Sequence, residues 1–420
     1  MILTNSNGQQ QKNAGSQTAK NAILKCLSLL LLIWIGSSFS LKAQVFQDTL
    51  FIAKAQKGLD LMYNMEFSLA HKAFEKLQGD YPTEPAPHFL NALCTWWKLS
   101  IARDFTGFDR PFLNEIDSAL HKAQKVSKAS EHRMEYAFMM FNALAFKARY
   151  YAMREQWVTA ANTARKALPF LLEGRKYLNK TSEFHFAVGL YDYFAIYYPQ
   201  KYPVTKPFMV FFPAGNKAQG IRLLQLATRT PNFSSNEARF FLMRILTDDE
   251  PDLAAALKIA QFLHTQYPSN TVYKLYLAKL LCRNAAYLQA KALLQAMELA
   301  HEVGRKKANG RVDQIHSLHT SQIMLEVWYY MGIIQQAYYQ NPTLALMYFN
   351  KSESLIPIVS EKDDAVLADL MLQIGKCQEL TGRRTLAIEY YKRSIKYATS
   401  DSKVHYEAGE CIKKPCSDSR

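Results

Sequence analysis

Histidines and acidic residues are the side chains whose spacing in this sequence comes nearest to a catalytic or metal site. His301 and Glu302 begin like the zinc motif of metalloproteases, but Arg305 stands where that motif needs its second histidine. His316 and His319 share one face of a predicted helix, a spacing that suits metal binding. Because no carboxylate or cysteine partner is close to them in sequence, we expect no metal ion and no cofactor.

Motifs for phosphate binding, dinucleotide binding and nucleophilic catalysis are absent. The sequence has no G-x-x-x-x-G-K-[ST], G-x-G-x-x-G or G-x-S-x-G. Asp248, Asp249 and Glu250 precede Pro251, an arrangement typical of a helix–helix turn with acidic residues at the next N-terminus. The sequence therefore predicts a protein without enzymatic activity. An envelope hydrolase whose catalytic residues come together only on folding stays the alternative.

Aromatic residues gather around an interruption of the helical periodicity. Residues 197–215 contain four prolines, which exclude one continuous helix, and side chains too apolar for a freely solvated loop. In one interpretation these aromatics pack onto neighbouring helices as local core. In the other they contact a ligand such as a glycan or an acyl chain. The candidate contact residues are Tyr191, Tyr193, Tyr197, Tyr198, Tyr202, Phe211 and Phe212.

A basic cluster forms a second candidate binding site. Four cationic side chains lie around two glycines between residues 304 and 311. In one interpretation this segment attracts anionic lipids and acidic proteins, and in the other it is a solvated linker. The four cations are Arg305, Lys306, Lys307 and Arg311. The whole chain has a net charge of +15, which favours anionic partners. Nucleic acid is not an expected partner, because the N-terminus predicts export.

The first 43 residues have the layout of a secretory signal peptide. A basic region precedes an apolar stretch at 26–35, and Ala43 marks the expected cleavage site. The apolar core of about ten residues is shorter than the ~20 needed to span a bilayer. An uncleaved membrane anchor is the alternative. We therefore expect an exported protein in the periplasm or associated with the outer membrane.

The composition favours a large helical protein. Gly and Pro number 16 and 15, a lower share than the roughly 12% of average usage, and this argues against turn-rich β-folds. Hydrophobic residues make up 49% of the chain, which excludes disorder as its main state. Six cysteines are too few for a disulfide scaffold. Cys411 and Cys416 either pair in an oxidising compartment or remain free, and the predicted core cysteines are Cys94, Cys282 and Cys377.

Small residues recur with the spacing of paired helices. Gly58, Ala70 and Phe74 are separated by 12 and 4 residues, and a segment beginning at Gly375 repeats these spacings. Small side chains let two helices approach closely, and an aromatic residue one turn later fills the space beside the crossing. The positions predicted to pack in this way are Gly58, Ala70, Phe74, Pro82, Ala278, Ala290, Leu294, Gly332, Ala345, Phe349, Pro357, Gly375, Ala387 and Tyr391.

This pattern resembles the tetratricopeptide repeat (TPR), a helix–turn–helix unit of 34 residues. The distances from Gly58 to Ala92 and from Ala256 to Ala290 are both 34 residues. The resemblance implies an all-α fold, a right-handed α-solenoid of about eight antiparallel helix pairs with a concave groove. An irregular helix bundle is the alternative.

The predicted organisation has four parts. A signal peptide (1–43) precedes an N-terminal helical array (44–235) that carries the insertion 197–215, and a C-terminal array (236–400) precedes a polar tail (401–420). The expected function is a non-enzymatic protein–protein interaction scaffold of the bacterial cell envelope, which binds a protein or peptide segment in the concave groove. The alternative is an envelope protein that binds a glycan or a lipid through the aromatic insertion around 191–212, and an anionic lipid or a glycan is a further possible partner of the chain.

Overall fold

The computed structural model describes residues 47–103, 105–126, 133–201, 206–209, 212–229, 233–307, 314–359 and 364–416. The predicted signal peptide and its cleavage site after Ala43 lie outside the described residues. Thr49–Arg420 forms one compact unit, so the helices before and after residue 235 belong to the same unit.

All regular secondary structure of the described residues is helical. Seventeen α-helices follow one another, with a 3-10 turn at Thr106–Phe108, a single α-turn at Lys206–Met209 and a π-helical turn at Ile245–Asp249. The helices are α1 Thr49–Tyr63, α2 Phe67–Asp80, α3 Ala86–Ile101, α4 Asp109–Val126, α5 Arg133–Met153, α6 Trp157–Arg175, α7 Glu183–Lys201, α8 Lys217–Arg229, α9 Ser235–Arg244, α10 Leu253–Gln266, α11 Thr271–Arg283, α12 Tyr287–Lys307, α13 Gln314–Ala337, α14 Pro342–Ser354, α15 Asp364–Leu380, α16 Arg384–Tyr397 and α17 Lys403–Lys413.

Consecutive helices form eight antiparallel pairs, from α1–α2 to α15–α16, and α17 packs on the last pair. The all-α solenoid predicted from the sequence, with about eight pairs, is confirmed. Odd-numbered helices also pack on one another, because α1 contacts α3, α3 contacts α5 and α5 contacts α7. The same next-neighbour packing continues from α11 through α13 and α15 to α17.

A left-handed residue sets the turn inside five of the pairs. Met65, Glu155, Ala285, Gln340 and Gly382 have φ values of 63°, 59°, 56°, 51° and 78°. Each lies just past the first helix of its pair and two residues before the second helix. A residue in this conformation ends a helix by turning the next amide back onto the last turn. In the first of these turns, for example, the Glu66 amide donates to the carbonyl of Leu61 at 2.9 Å.

Helix α9 connects parts of the chain that are far apart in sequence. The Trp97 indole on α3 donates a hydrogen bond to the Glu237 carboxylate on α9 at 3.0 Å, and the Trp97 and Phe240 ring centroids are 6.0 Å apart. Phe241 packs at 5.7 Å from Phe186 on α7. The chain's own α9 therefore contacts the odd-numbered helices α3 and α7.

The first helix pair also meets the turn between α10 and α11. The Tyr267 hydroxyl donates to Asp60 at 2.9 Å, and the Asn270 side-chain amide donates to the carbonyl of Tyr63 at 2.7 Å. Both bonds join residues 207 positions apart in the chain. Residues before α11 thus return to the start of the array, which adds non-local contacts to the local stacking of a solenoid.

The C-terminal residues 401–420, expected as a polar tail, contain helix α17. Its buried Ala408 and Cys411 pack on Ala387 and Tyr391 of α16. Cys411 forms a disulfide with Cys416, one of the two alternatives from the sequence. The three predicted core cysteines are buried free thiols. Within the described ranges, no helix has both the length and the apolar character required to cross a membrane.

Candidate functional site

A cavity of about 620 Å³ lies between α5, α6, α7 and the end of α9 with its π-helical turn. We call it the aromatic cavity. One of its walls is a face of α7, where Tyr191, Phe194 and Tyr198 recur at helical spacing. The rings of Phe194 and Tyr198 stack with their centroids 4.9 Å apart. Phe186 and Phe241 continue this aromatic surface.

Small and aliphatic side chains of α6 line another side of the cavity. Ala164, Ala167, Leu168 and Leu171 all face it. Ala167 and Leu171 are buried, whereas Ala164 keeps part of its surface open. Because an alanine projects only a methyl group, this side leaves room for a bound molecule.

Arg149 reaches the cavity from α5. Its guanidinium carbon lies 4.7 Å from the centroid of the Trp96 ring and 5.4 Å from that of Phe241, a cation–π arrangement. Arg149 is exposed to solvent, although the surrounding walls remove part of the water around its guanidinium group, and this partial desolvation lowers the pKa of Arg149. An arginine stays protonated at physiological pH in spite of such a shift. The buried carboxylate of Glu237 attracts it but is hydrogen-bonded to Trp97.

Arg244 brings a second guanidinium to the cavity from the end of α9. The Tyr276 side chain, followed by Asp248, raises the pKa of Arg244 against the opposing effect of burial. Within the part of the chain that the structure describes, neither Arg149 nor Arg244 has a carboxylate oxygen within 4.0 Å of its side-chain nitrogens. The cavity therefore holds two cations that have no ion-pair partner among the described residues.

The other charged groups of the cavity have partners inside the protein. Asp249 accepts a hydrogen bond from the Tyr197 hydroxyl and lies 3.4 Å from the ammonium of Lys201. Asp248 lies 3.5 Å from a nitrogen of Arg283. Burial raises the pKa of Asp248. The acidic end of the cavity is thus neutralised by its own neighbours.

Neutral polar groups of the cavity wall are also engaged. The side-chain amide of Asn142 donates to the carbonyl of Phe138 at 2.9 Å. The Tyr191 hydroxyl donates to the carbonyl of Pro213 at 2.6 Å. Their hydrogen-bonding capacity is therefore partly used within the protein.

The structure brings four of the predicted aromatic contact residues to this cavity, namely Tyr191, Tyr197, Tyr198 and Phe212. Tyr193 is instead fully buried and packs against α8, where a Cβ added to Gly220 would lie 2.6 Å from the Tyr193 backbone nitrogen. Tyr202 and Phe211 lie outside the described residues. The helix α7 continues through Pro199 to Lys201, and no single helix spans 197–215.

The predicted basic cluster falls at the end of α12. Arg305, Lys306 and Lys307 belong to the last turn of Tyr287–Lys307, and their side chains lie outside the described residues. Arg311 lies outside them altogether. His316 and His319 are in α13, again without described side chains.

A second surface follows the odd-numbered helices of the last three pairs. The Lys279 ammonium on α11 lies 2.7 Å from Glu326 on α13, Tyr329 on α13 donates a hydrogen bond to Asp369 on α15, and Lys376 pairs with Glu407 on α17 at 2.5 Å. We call this row the polar ladder. Burial lowers the pKa of Lys279, but Glu326 and neighbouring tyrosines raise it by more. Lys279 is therefore held as a cation.

The predicted packing positions lie at the contacts within helix pairs. A Cβ added to Gly58 would overlap the ring of Phe74, one at Gly332 would overlap Phe349, and one at Gly375 would overlap Tyr391. The remaining helical positions are fully buried and are Ala70, Ala278, Ala290, Leu294, Ala345 and Ala387. Pro82 and Pro357 lie in the turns that follow α2 and α14.

These repeated glycine–aromatic contacts determine how the two helices of a pair pack, and they identify the architecture. The fold is a tetratricopeptide-like helical repeat array. In this TPR-like chain the aromatic ring of the second helix lies directly over the backbone of the first. That contact explains the spacing of 12 and 4 residues seen in the sequence.

Solved structures similar to this TPR-like chain are remote in sequence. The human IFIT1 dimer with PPP-AAAA is 14% identical, with 79% of this chain and 69% of that chain covered and a TM-score of 0.39. The apo form of RapI is 14% identical, with coverages of 87% and 98% and a TM-score of 0.37. Yeast Tom70 is 11% identical, with coverages of 86% and 94% and a TM-score of 0.28. No protein-family model and no curated protein matches the sequence.

Proposed function

We propose that this TPR-like chain is a non-enzymatic protein-interaction scaffold of the bacterial cell envelope. Stacked helix pairs expose side chains from successive repeats on one continuous surface, which suits the binding of an extended or helical segment. The observation that carries the proposal is the polar ladder, in which a polar side-chain contact joins each of the helices α11, α13, α15 and α17 to the next.

The ladder is favoured over the N-terminal odd-numbered helices because of α9. Trp97 and Phe186, on α3 and α7, are in contact with aromatic side chains of α9. Along α13 and α15, by contrast, Glu326, Tyr330 and Gln373 keep part of their surface accessible. A partner segment can therefore reach the ladder without displacing a helix.

The alternating charges of the ladder indicate a polar partner segment. Lys279 and Glu326 have side chains that are 19% and 17% exposed, so they are ordered by their mutual contact but remain reachable. A partner that carries both signs of charge can exchange hydrogen bonds with such pairs, which provides specificity more than affinity.

Two features support an envelope location. The first 43 residues have the layout of an export signal. The disulfide between Cys411 and Cys416 is of a kind that persists in the bacterial periplasm and is rare in the cytosol. Fractionation with N-terminal sequencing tests the proposal, and we expect a mature chain beginning at Gln44 in the envelope fraction. An intact N-terminus in the cytosolic fraction would contradict it.

Site-specific photocrosslinking in the native host tests the binding surface. A crosslinking residue is placed at Tyr330 or Gln373 on the ladder, and at Leu299 or Lys392 on even-numbered helices as matched controls, both of which are exposed. We expect one partner protein, of the same mass, from both ladder positions and from neither control. Equal crosslinking from all four positions, or none from the ladder in a fraction that retains the protein, would reject the proposal.

A further inference from the structure

We propose that the aromatic cavity binds a single acyl chain that carries an anionic head group, either a carboxylate or a phosphate. This site is lined by α5, α6, α7 and α9, whereas the polar ladder lies on α11, α13, α15 and α17, and its occupant is a small amphiphile in addition to the protein partner. The inference goes beyond the scaffold function and does not depend on it.

The charge of the head group follows from two guanidinium groups that form no ion pair within the described ranges. Arg149 and Arg244 enter one cavity from different helices, while Asp248 and Asp249 have partners in Arg283 and Lys201. A guanidinium group without an ion-pair partner among the described residues leaves its hydrogen-bond donors to water, and an anion that accepts several of them at once forms charge-assisted hydrogen bonds. Carboxylates and phosphates are the groups that guanidinium binds in bidentate geometry.

The apolar body of the ligand follows from the rest of the wall. Apart from the charged end, the cavity is lined by aromatic rings of α7 and by the alanine and leucine side chains of α6. A volume of about 620 Å³ lies in the usual range of pockets that enclose a small molecule. Burial of methylene groups against such a surface is favourable in proportion to the area removed from water.

A neutral glycan fits the same surface less well. Sugar hydroxyls need hydrogen-bond partners when they are buried. The Asn142 amide and the Tyr191 and Tyr197 hydroxyls already donate to Phe138, Pro213 and Asp249. The geometry therefore favours an acyl chain over a glycan, whereas the sequence alone did not distinguish between these two ligand classes.

Ala164 sets the depth of the cavity. It lies on α6, lines the cavity and is only partly buried, so a larger side chain there extends into the open space and not into packed core. The Ala164→Phe change should thus shorten the chain that fits without disrupting the fold. Binding measurements on the Ala164→Phe chain therefore test where the ligand lies as well as which kind of ligand binds.

The test is titration calorimetry of the mature chain with monomeric amphiphiles below their micellar concentrations. Octanoate, decanoate and dodecanoate form a chain-length series, and each added methylene should tighten binding by roughly fourfold until the cavity is full. Dodecanol and dodecylammonium replace the anionic head by a neutral and a cationic one. We expect dodecanoate to bind at least tenfold more tightly than either of them. Lysophosphatidate, in a separate arm, distinguishes a phosphate head from a free fatty acid.

Variants connect any binding to this cavity. Arg149→Gln and Arg244→Gln should each weaken dodecanoate binding roughly tenfold or more, since a hydrogen bond to a charged group is lost. Arg149→Lys keeps the cation but loses the bidentate geometry, so its affinity should lie between those of the unchanged chain and of Arg149→Gln. Arg165→Gln removes an exposed cation from the outer side of α6 and should have no effect. Far-ultraviolet circular dichroism and thermal melting show that each variant is folded.

Three outcomes would overturn the proposal. One is equal affinity for dodecanoate and dodecanol, which would show that the arginines do not select an anion. Another is unchanged binding in folded Arg149→Gln, Arg244→Gln and Ala164→Phe chains, which would place any ligand elsewhere. The third is the absence of saturable binding for both the fatty acid and lysophosphatidate. None of these outcomes bears on crosslinking at the polar ladder, so the two proposals fail independently.

Discussion

The change Gly58→Ala should destabilise the protein, although alanine is the better helix former. In α1 the added Cβ would overlap the ring of Phe74 and lie 2.9 Å from its Cδ1 atom. The Phe74 side chain is fully buried in α2, so the ring cannot turn away without moving its neighbours. Overpacking of this kind costs about 1–3 kcal/mol. Relief of the glycine penalty in the helix returns only about 0.5–1 kcal/mol.

The expected net effect of Gly58→Ala is thus a loss of roughly 1–2 kcal/mol of unfolding free energy, most of it at the α1–α2 contact. Gly79 is the matched control, because it lies in α2 and a Cβ there meets no atom within 4 Å. Gly79→Ala should stabilise the protein by about 0.5–1 kcal/mol. The two substitutions are chemically identical and are expected to act with opposite signs.

Urea unfolding followed by circular dichroism measures both free energies, and hydrogen exchange of the α2 amides shows whether the change is local. Exchange is needed because a repeat array need not unfold in one step. The double variant Gly58→Ala with Phe74→Leu should recover part of the loss, since the smaller side chain leaves room for the Cβ. If Gly58→Ala behaved like Gly79→Ala, the reasoning that the aromatic ring rests on the glycine backbone would be wrong.

Three further predictions concern a buried acid, a turn and the disulfide. Burial raises the pKa of Glu183 to about 7. The protonated side chain therefore contributes fully to the unfolding free energy below pH 4.5, and this contribution is lost as the pH rises through 7. Urea unfolding at acid and neutral pH should show a loss of about 3 kcal/mol of unfolding free energy, which Glu183→Gln abolishes. Ala285→Gly should stabilise the protein by about 1 kcal/mol, and Gly382→Ala should destabilise it by a similar amount, because both residues are left-handed; the reverse signs in thermal melts would contradict this. Reduction of the bond between Cys411 and Cys416 should cost about 2 kcal/mol and speed hydrogen exchange in α17, whereas an unchanged exchange rate after reduction would show that the bond is not needed there.

Local packing is the part of the structure that the sequence could predict. Gly58 and Phe74, or Gly375 and Tyr391, are brought together within one helix pair, so their contact depends only on helical periodicity and a short turn. The number of helix pairs follows from the same signal. The left-handed residues Met65 and Glu155, by contrast, are not glycines, so no sequence pattern marks these turns.

The arginines of the aromatic cavity could not be predicted in the same way. Arg149 and Arg244 are separated by three intervening helices, and each is an ordinary cation in its own segment. Their meeting depends on α9 packing against α5 and α7, a non-local contact that no repeat spacing encodes. The aromatic residues of α7 can be predicted as a group, because they are clustered beside prolines within one segment of the sequence. The direction in which their rings point cannot be predicted in this way.

The seventh and eighth helices show how a departure from the repeat produces the cavity. In this pair Gly189 and Gly220 face each other, and a Cβ on Gly189 would lie 3.0 Å from the carbonyl oxygen of Gly220. With glycine on both helices the backbones meet directly, so no aromatic ring is needed to fill the crossing as Phe74 does at Gly58. The rings at Tyr191 and Tyr198 are then left on the other side of α7, where they form a wall of the cavity. Substitution of either glycine should therefore push α7 and α8 apart and alter ligand binding more than it alters the neighbouring helix pairs.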